Sequence, residues 1–252
     1  MVFFIILIFI VALIIGIKMN KHKKLVMNAF DDGNVIVFGK KGKGKDLLFQ
    51  YVINHRKKEE YFSNINYGHN YKPITIKDLE LNNTYEDFIA DDIKIVDKID
   101  DRENKDIYIS DAGIYLPSQY DSKLHKLYPS LSIYYALSRH LYNSNIHCNT
   151  QALDRLFKSL REQADSFIKC INCVKIFGLF IVSFTYYDKY SSALADLRPM
   201  KKGLFGSKEM KARIEQYNAT NGEIINGVVC LTKKNIHYNT RAFHEKLFGK
   251  VV

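Results

Sequence analysis

The chain opens on an unbroken apolar run, Val2 to Ile17, and four lysines follow at once at positions 18, 21, 23 and 24. As a helix rising about 1.5 Å per residue, the run reaches roughly 24 Å. That is slightly short of a bilayer core of about 30 Å, a gap that snorkelling lysines and local thinning of the bilayer close. No charged side chain precedes the run. Positive charge stays on the cytoplasmic side, so the pattern predicts a single transmembrane helix with its N-terminus out and the body in the cytoplasm. A cleaved signal peptide would need a basic leader and a small-x-small cleavage site, and neither is present. The expected division is an anchor with its basic flank at 1–24 and a cytoplasmic domain at 25–252.

Beyond the anchor, Lys18 to Asn34 reads as a basic, polar tether. Val35-Ile36-Val37-Phe38 is a short apolar run that suits a buried parallel strand. A glycine- and lysine-rich turn follows, and Leu47 to Lys57 then carries apolar Leu47, Leu48, Tyr51 and Val52 at helical spacing. Strand-like pieces lie at Tyr61 to Ile65 and Ile74 to Ile76. The stretch with Glu86, Asp87, Asp91 and Asp92 reads as solvated. Ile107 to Ser110 is a further strand, ending in Asp111. Lys123 to Asn143 reads as a helix with Pro129 near an early turn, and Ile146 to Gln151 as another strand.

Leu156, Phe157, Leu160, Ala164, Phe167 and Ile168 share one face if Asp154 to Lys169 is helical. Val174 to Tyr187, broken by Gly178, suits a strand or hairpin. Leu197 to Gly206 reads as a basic loop, Lys208 to Tyr217 as a helix and Gly227 to Ile236 as a last strand. Strands alternating with helices imply an α/β protein whose sheet is mostly parallel and flanked by helices.

Composition narrows the function classes. Lys and Arg total 37 against 27 Asp and Glu, a formal net charge of +10. Such a surplus favours phosphate-rich partners: nucleotides, nucleic acid or anionic lipid. Four cysteines in 252 residues exclude a disulfide scaffold. Cys170 and Cys173 form a lone CxxC, placed at a helix-to-strand boundary. A zinc site would need two more ligands at matching spacing, which no second CxxC or HxxxH supplies.

The chemistry concentrates in Gly39-Lys40-Lys41-Gly42-Lys43-Gly44-Lys45-Asp46-Leu47, placed between a strand and a helix. The segment matches GxxxxGK. Glycines let the backbone curl so that its N–H groups converge on phosphate oxygens, and the helix N-terminus adds partial positive charge. Lys45 is the residue that reaches the β- and γ-phosphates. Position 46 departs from the pattern: Asp46 stands where a Ser or Thr hydroxyl ordinarily ligates magnesium. A carboxylate there can bind a hard cation or simply cap the helix.

Asp111, at the end of an apolar strand, is the second candidate magnesium ligand. Many ATPases place a Glu next, to activate water; here Ala112 and Gly113 follow. Gln151 ends the next strand, where an amide can hold a γ-phosphate or the attacking water, with Asn149 and Thr150 as polar alternatives. Arg155 and Arg161 are candidates for an arginine finger offered to a neighbouring subunit.

The glycine loop, ISDAGIYLPSQ, HCNTQALDRLFKSLRE and YNTRAFHEKLFG occur in that order over about 34–249. Together they resemble the zonular occludens toxin-like, filamentous-phage assembly ATPases of the FtsK–HerA group. The resemblance implies a RecA-like P-loop core that drives DNA through a membrane or virion, working as a homo-oligomer, often a hexameric ring, with ATP and Mg²⁺ as cofactors and DNA as partner. By position, Lys45 corresponds to the Walker A lysine, Asp111 to the Walker B aspartate and Gln151 to the sensor glutamine. Two alternatives stay open: a non-catalytic, nucleotide-binding assembly protein, favoured by Ala112 and Asp46, and a nucleotide kinase, against which the anchor and the lack of an arginine-rich lid argue.

Overall fold

The structure, a computed structural model, describes residues 2–56, 60–68, 70–74, 105–120, 143–197 and 222–232, with positions 135 and 138. One eight-stranded sheet organises them, in the order β3-β2-β4-β5-β1-β6-β7-β8. The strands are β1 (Val35–Phe38), β2 (Tyr61–Ser63), β3 (Tyr71–Pro73), β4 (Asp106–Ile109), β5 (Ile146–Thr150), β6 (Ser166–Ile176), β7 (Leu179–Tyr187) and β8 (Ile224–Thr232). From β3 to β6 every pairing is parallel; β6, β7 and β8 pair antiparallel. The fold is therefore mixed α/β with a mostly parallel sheet. Pro73, which cannot donate to a ladder, sits on the edge strand β3 where that costs nothing.

Alternation along the strands divides the core into two layers. Ile36, Phe38, Ile107, Ile109 and Phe167 face one layer, which Ala112, Leu116, Leu153, Leu156, Phe157 and Leu160 complete. Val35, Val37, Tyr108 and Ile168 face the other, where Val26, Phe30, Leu48, Phe49 and Val52 cover them. Apolar residues at every position of β1 are what a strand covered on both faces requires.

Helix α1 runs from Val2 to Asp32 without a break. The segment after Lys18 is thus no tether. Val26 and Phe30 are fully buried and Ala29 nearly so, because Val26, Ala29 and Phe30 lie on one face at helical spacing and close over the sheet. The division expected at 24/25 falls inside this helix. Among the described residues, no helix is long and apolar enough to cross a membrane; the side chains of 2–15, the greater part of the apolar run, lie outside the described residues.

Helix α2 (Lys45–His55) carries the glycine turn at its start. Among the described residues, the further helices α3 (Ala112–Tyr115), α4 (Lys158–Gln163) and α5 (Tyr190–Leu197) are short. The long helix expected over Asp154 to Lys169 does not form. A 3-10 turn at Leu153–Arg155 and α4 replace it, and from Ser166 the chain is β6. Leu156, Phe157 and Leu160 are buried as the spacing requires, but Phe167 and Ile168 face opposite layers because β6 pairs in parallel with β1.

Cys170 and Cys173 lie within β6, flanking a register shift between Cys170 and Asn172, and so not at a helix boundary. Strand β3 ends at Pro73, and of the strand expected at Ile74 to Ile76 only Ile74 lies within the described residues; the last strand begins at Ile224 rather than Gly227. The acidic stretch, the helix expected at Lys123 to Asn143 apart from positions 135, 138 and 143, the helix expected at Lys208 to Tyr217, most of the basic loop and the segment after Thr232 lie outside the described residues.

Candidate nucleotide-binding site

The parallel strands β1, β4 and β5 end together, and the sequence loads their ends with polar side chains. Ser110, Asn149 and Thr150 are all buried there. Phe38 leads into Gly39, whose N–H donates to the Thr150 carbonyl at 3.2 Å. Gly39, Gly42 and Gly44 hold φ values of +147, +77 and +92, a sequence of conformations that L side chains rarely adopt. A Cβ on Gly39 would come 2.5 Å from the Cys170 carbonyl oxygen, and one on Gly44 would press on Val182 and Cys173. The loop is therefore curled against the β6–β7 hairpin at a distance only glycine allows. The Lys43 ammonium adds a hydrogen bond to Asn172 Oδ1 at 3.2 Å.

Gly44 caps α2 in the left-handed conformation with no side-chain cap, and Leu48 N–H donates to its carbonyl at 2.9 Å. The first turn of α2 thus presents its positive end to the hollow of the loop. Lys45 is 5% exposed, and its ammonium donates to the Lys40 carbonyl at 3.4 Å across the loop's mouth. A buried ammonium held by a carbonyl of its own loop lies where an incoming anion gains most from it.

Asp46 does not cap α2. Its Oδ1 accepts from Ser110 Oγ at 2.7 Å, Asn149 Nδ2 at 2.8 Å and the Tyr67 hydroxyl at 2.9 Å. It thereby ties the start of α2 to the ends of β4 and β5. Asn149 Oδ1 in turn accepts from the Asp111 N–H at 2.8 Å, and Asn64 brackets Ser110, accepting from its N–H and donating to its carbonyl. Asp111 stands at φ 49, ψ 40. Burial first, and the Asp46 carboxylate second, push its carboxyl above the usual range, against the pull of Lys45 and Lys41.

Two carboxylates that repel each other beside a lysine-rich loop form a hard-oxygen donor set, and a divalent cation would relieve that repulsion. The set fits magnesium, which is commonly held by one or two carboxylates together with phosphate oxygens and water. Among the described residues, no group of three or more His, Cys, Asp or Glu side chains offers a cage made by the protein alone.

The residue after Asp111 has no access to this site. Ala112 is fully buried in the core layer opposite α1, so a glutamate there would lose its water. Gln151 is exposed and lines a small cleft with Asp111, Gly113, Ile114, Thr150 and Arg155. The structure thus brings Lys45, Asp46 and Asp111 together, sets Gln151 and Arg155 at the rim, and turns Arg161 away toward the Tyr190 ring. Burial pushes the Cys170 thiol up to about 12 and raises Cys173 as well, which keeps both as thiols at neutral pH.

Sequence reasoning missed Tyr67, Asn64 and Ser110. Ser110 lay in view as the last residue before Asp111; nothing local marks Tyr67 or Asn64, which reach the site by tertiary folding.

Strand, glycine loop and helix, faced by an acid at the end of a second strand two places away in the sheet, make this the candidate phosphate site of an α/β fold. No family model matches the sequence, and no curated protein matches it. Solved structures do. The genome packaging NTPase B204 of Sulfolobus turreted icosahedral virus 2, in complex with sulfate, is similar at 17% identity over 64% of this chain and 93% of that one, with a TM-score of 0.41. The DNA-packaging ATPase B204 of Sulfolobus turreted icosahedral virus is similar at 15% identity over 64% and 94%, also at 0.41. The N-terminal domain of zonular occludens toxin from Neisseria meningitidis is similar at 11% identity over 84% and 97%, at 0.38. At these scores the likenesses are weak, and the site stands on the chain's own residues.

Proposed function

We propose that this chain is a membrane-anchored P-loop ATPase with a RecA-like core, which spends ATP on moving DNA during assembly or export of a phage or mobile element. The observation that carries the reading is the curled loop from Gly39 to Lys45, with Lys45 buried at its mouth and Asp111 coupled to it by charge. In this reading the loop's backbone and Lys45 hold the β- and γ-phosphates of ATP, with Lys40, Lys41, Lys43 and Leu47 completing the cradle. Asp111, together with Asp46, holds Mg²⁺, which when bound neutralises phosphate charge and polarises the γ-phosphoryl group.

Asn149 fixes the backbone of Asp111 and the carboxylate of Asp46 at once, so it keeps the two acids in register. Gln151 at the rim orients the attacking water. The surplus of positive charge supports DNA as the partner. The apolar start of α1 with its lysine flank supports a single-pass anchor in the host's cytoplasmic membrane. A site that opens at the rim beside Arg155 suits a ring of copies, hexameric in the resemblance, in which a neighbour completes it.

A second reading has a specific observation behind it. Ala112, turned into the core, supplies no base after Asp111, and Asp46 is held by three donors. In that reading the chain binds ATP as an assembly switch and does not turn it over. One assay separates the two: Mg²⁺-dependent ATP hydrolysis by the detergent-solubilised oligomer, with and without single-stranded or circular DNA, for wild type, Lys45→Ala and Asp111→Ala. DNA-stimulated turnover lost in both variants is the expected result. Tight binding with no turnover under any condition would establish the switch and sink the motor.

A further inference from the structure

Past the phosphate loop the β6–β7 hairpin runs on beyond β1, edged by β8 as far as Leu179, and its tip carries exposed apolar side chains. Strand β6 lies beside β1 as far as Lys169 opposite Phe38, then runs on to Ile176. Ile171, Val174, Ile176 and Leu179 are exposed on this extension and Phe177 completely so. Phe177 has φ 45 and Gly178 φ 79, the pairing of a type I′ turn, where Asn or Gly is the unstrained choice. A bulky aromatic in that place strains the backbone and packs against nothing, so folding does not account for it. Lys175 stands next to the tip with its ammonium 5.6 Å from the Phe180 ring centroid. Apolar and aromatic side chains with a flanking lysine are the mixture that seats in a lipid headgroup layer.

Helix α1 says which way the tip points. Its end lies at the starts of the strands: Asn145, just before β5, donates to the Phe30 and Asp31 carbonyls. Followed toward its N-terminus, the helix reaches His22, which accepts from Val228 N–H and meets the Phe184 ring. Phe184 pairs with Cys170, beside the phosphate loop. The helix therefore climbs the sheet in the direction of the hairpin, and its apolar run leaves the domain at the same end. Counting rise alone, Lys18 stands about 6 Å beyond His22, while Leu179 at the turn stands about 17 Å beyond Phe184. The tip thus passes the lysine edge of the apolar run by roughly 10 Å, the depth to which interfacial segments insert.

We infer that the β6–β7 tip is a second membrane contact, seating Ile176, Phe177 and Leu179 in the same lipid surface that takes the apolar run of α1. The inference rests on the anchored reading above, and the test separates the two. The chain contains no tryptophan, so one introduced tryptophan is a clean reporter. The full chain carrying Phe177→Trp, and separately Phe9→Trp in the apolar run, is reconstituted into phosphatidylcholine–phosphatidylglycerol vesicles with and without brominated acyl chains. Both reporters are expected to emit to the blue of free tryptophan and to lose most of their intensity in brominated vesicles. Quenching at position 9 with red, unquenched emission at 177 overturns the hairpin contact and leaves the anchor standing. Blue emission at 177 that bromine does not quench overturns it in favour of burial against a second copy. No quenching at either position overturns anchor and contact together.

Discussion

At position 46 a carboxylate oxygen accepts hydrogen bonds from the side chains of Tyr67 in a loop, Ser110 just after β4 and Asn149 in β5. Removing it leaves three donors without their acceptor. Asp46→Ala is expected to cost on the order of 3 kcal/mol of stability, read from the urea midpoint of the solubilised chain, and Asp46→Asn, which keeps the shape, a smaller loss. Asp111 should behave in the opposite way. Its carboxyl is raised in the folded state by burial and by Asp46, so the folded chain binds more protons than the unfolded one. Stability is then greatest below the unfolded value and falls as pH rises through the folded one. At neutral pH the ionised group is a net cost in the absence of nucleotide. Asp111→Asn is expected to raise the melting temperature of the nucleotide-free chain, to flatten its fall with pH above the ordinary carboxylate range, and to lose the stabilisation given by Mg²⁺ with ATP. Thermal scans across pH, with and without Mg-ATP, read all three. Lys45 and Asp111 were legible in the sequence because each sits in a local pattern. The acceptor role of Asp46 was not, because two of its donors come from residues 21 and 103 positions away.

Among the elements, the glycine turn behaved as its sequence implies and the segment after it shows where pattern fails. A methyl group on Gly39 meets the Cys170 carbonyl, backbone that cannot step aside. Gly39→Ala is therefore expected to destabilise the chain by about 2 kcal/mol and to weaken nucleotide binding, whereas Gly42→Ala, with open space around it, should be penalised only for its backbone conformation. Comparing the two by denaturation and nucleotide titration separates steric from conformational need. The expected helix over Asp154 to Lys169 had correct spacing as far as Leu160. What no local pattern records is that Ser166 to Lys169 is wanted as the neighbour of β1; pairing across the sheet outweighed helical periodicity there. β1, α2, β4 and β5 were readable because short apolar runs bounded by turn residues have few other uses.

At the scale of the whole molecule, the end opposite the phosphate loop is tied by one guanidinium. Arg56, at the end of α2, pairs with Asp106 at the start of β4 and with Asp31 at the end of α1, and approaches the Tyr108 hydroxyl and His147 Nε2 at 3.2 and 3.3 Å. Arg56 and Asp106 are almost wholly buried. Arg56→Ala leaves the Asp106 charge in the core and is expected to cost about 3–5 kcal/mol, with α1 loosened from the sheet; hydrogen exchange along α1 would rise in step. The sequence showed α1 only as anchor and tether, because its docking depends on Val26, Ala29 and Phe30, a face too short to stand out beside sixteen apolar residues before it. The account as a whole depends on the loop from Gly39 to Leu47 holding a nucleotide's phosphates. The most direct measurement is equilibrium binding of a fluorescent ATP analogue to wild type and Lys45→Ala, with and without Mg²⁺. Loss of a charge-assisted contact of about 2–3 kcal/mol predicts at least a tenfold weaker Kd for the variant, and wild-type affinity that depends on Mg²⁺. An unchanged Kd in Lys45→Ala would contradict the account.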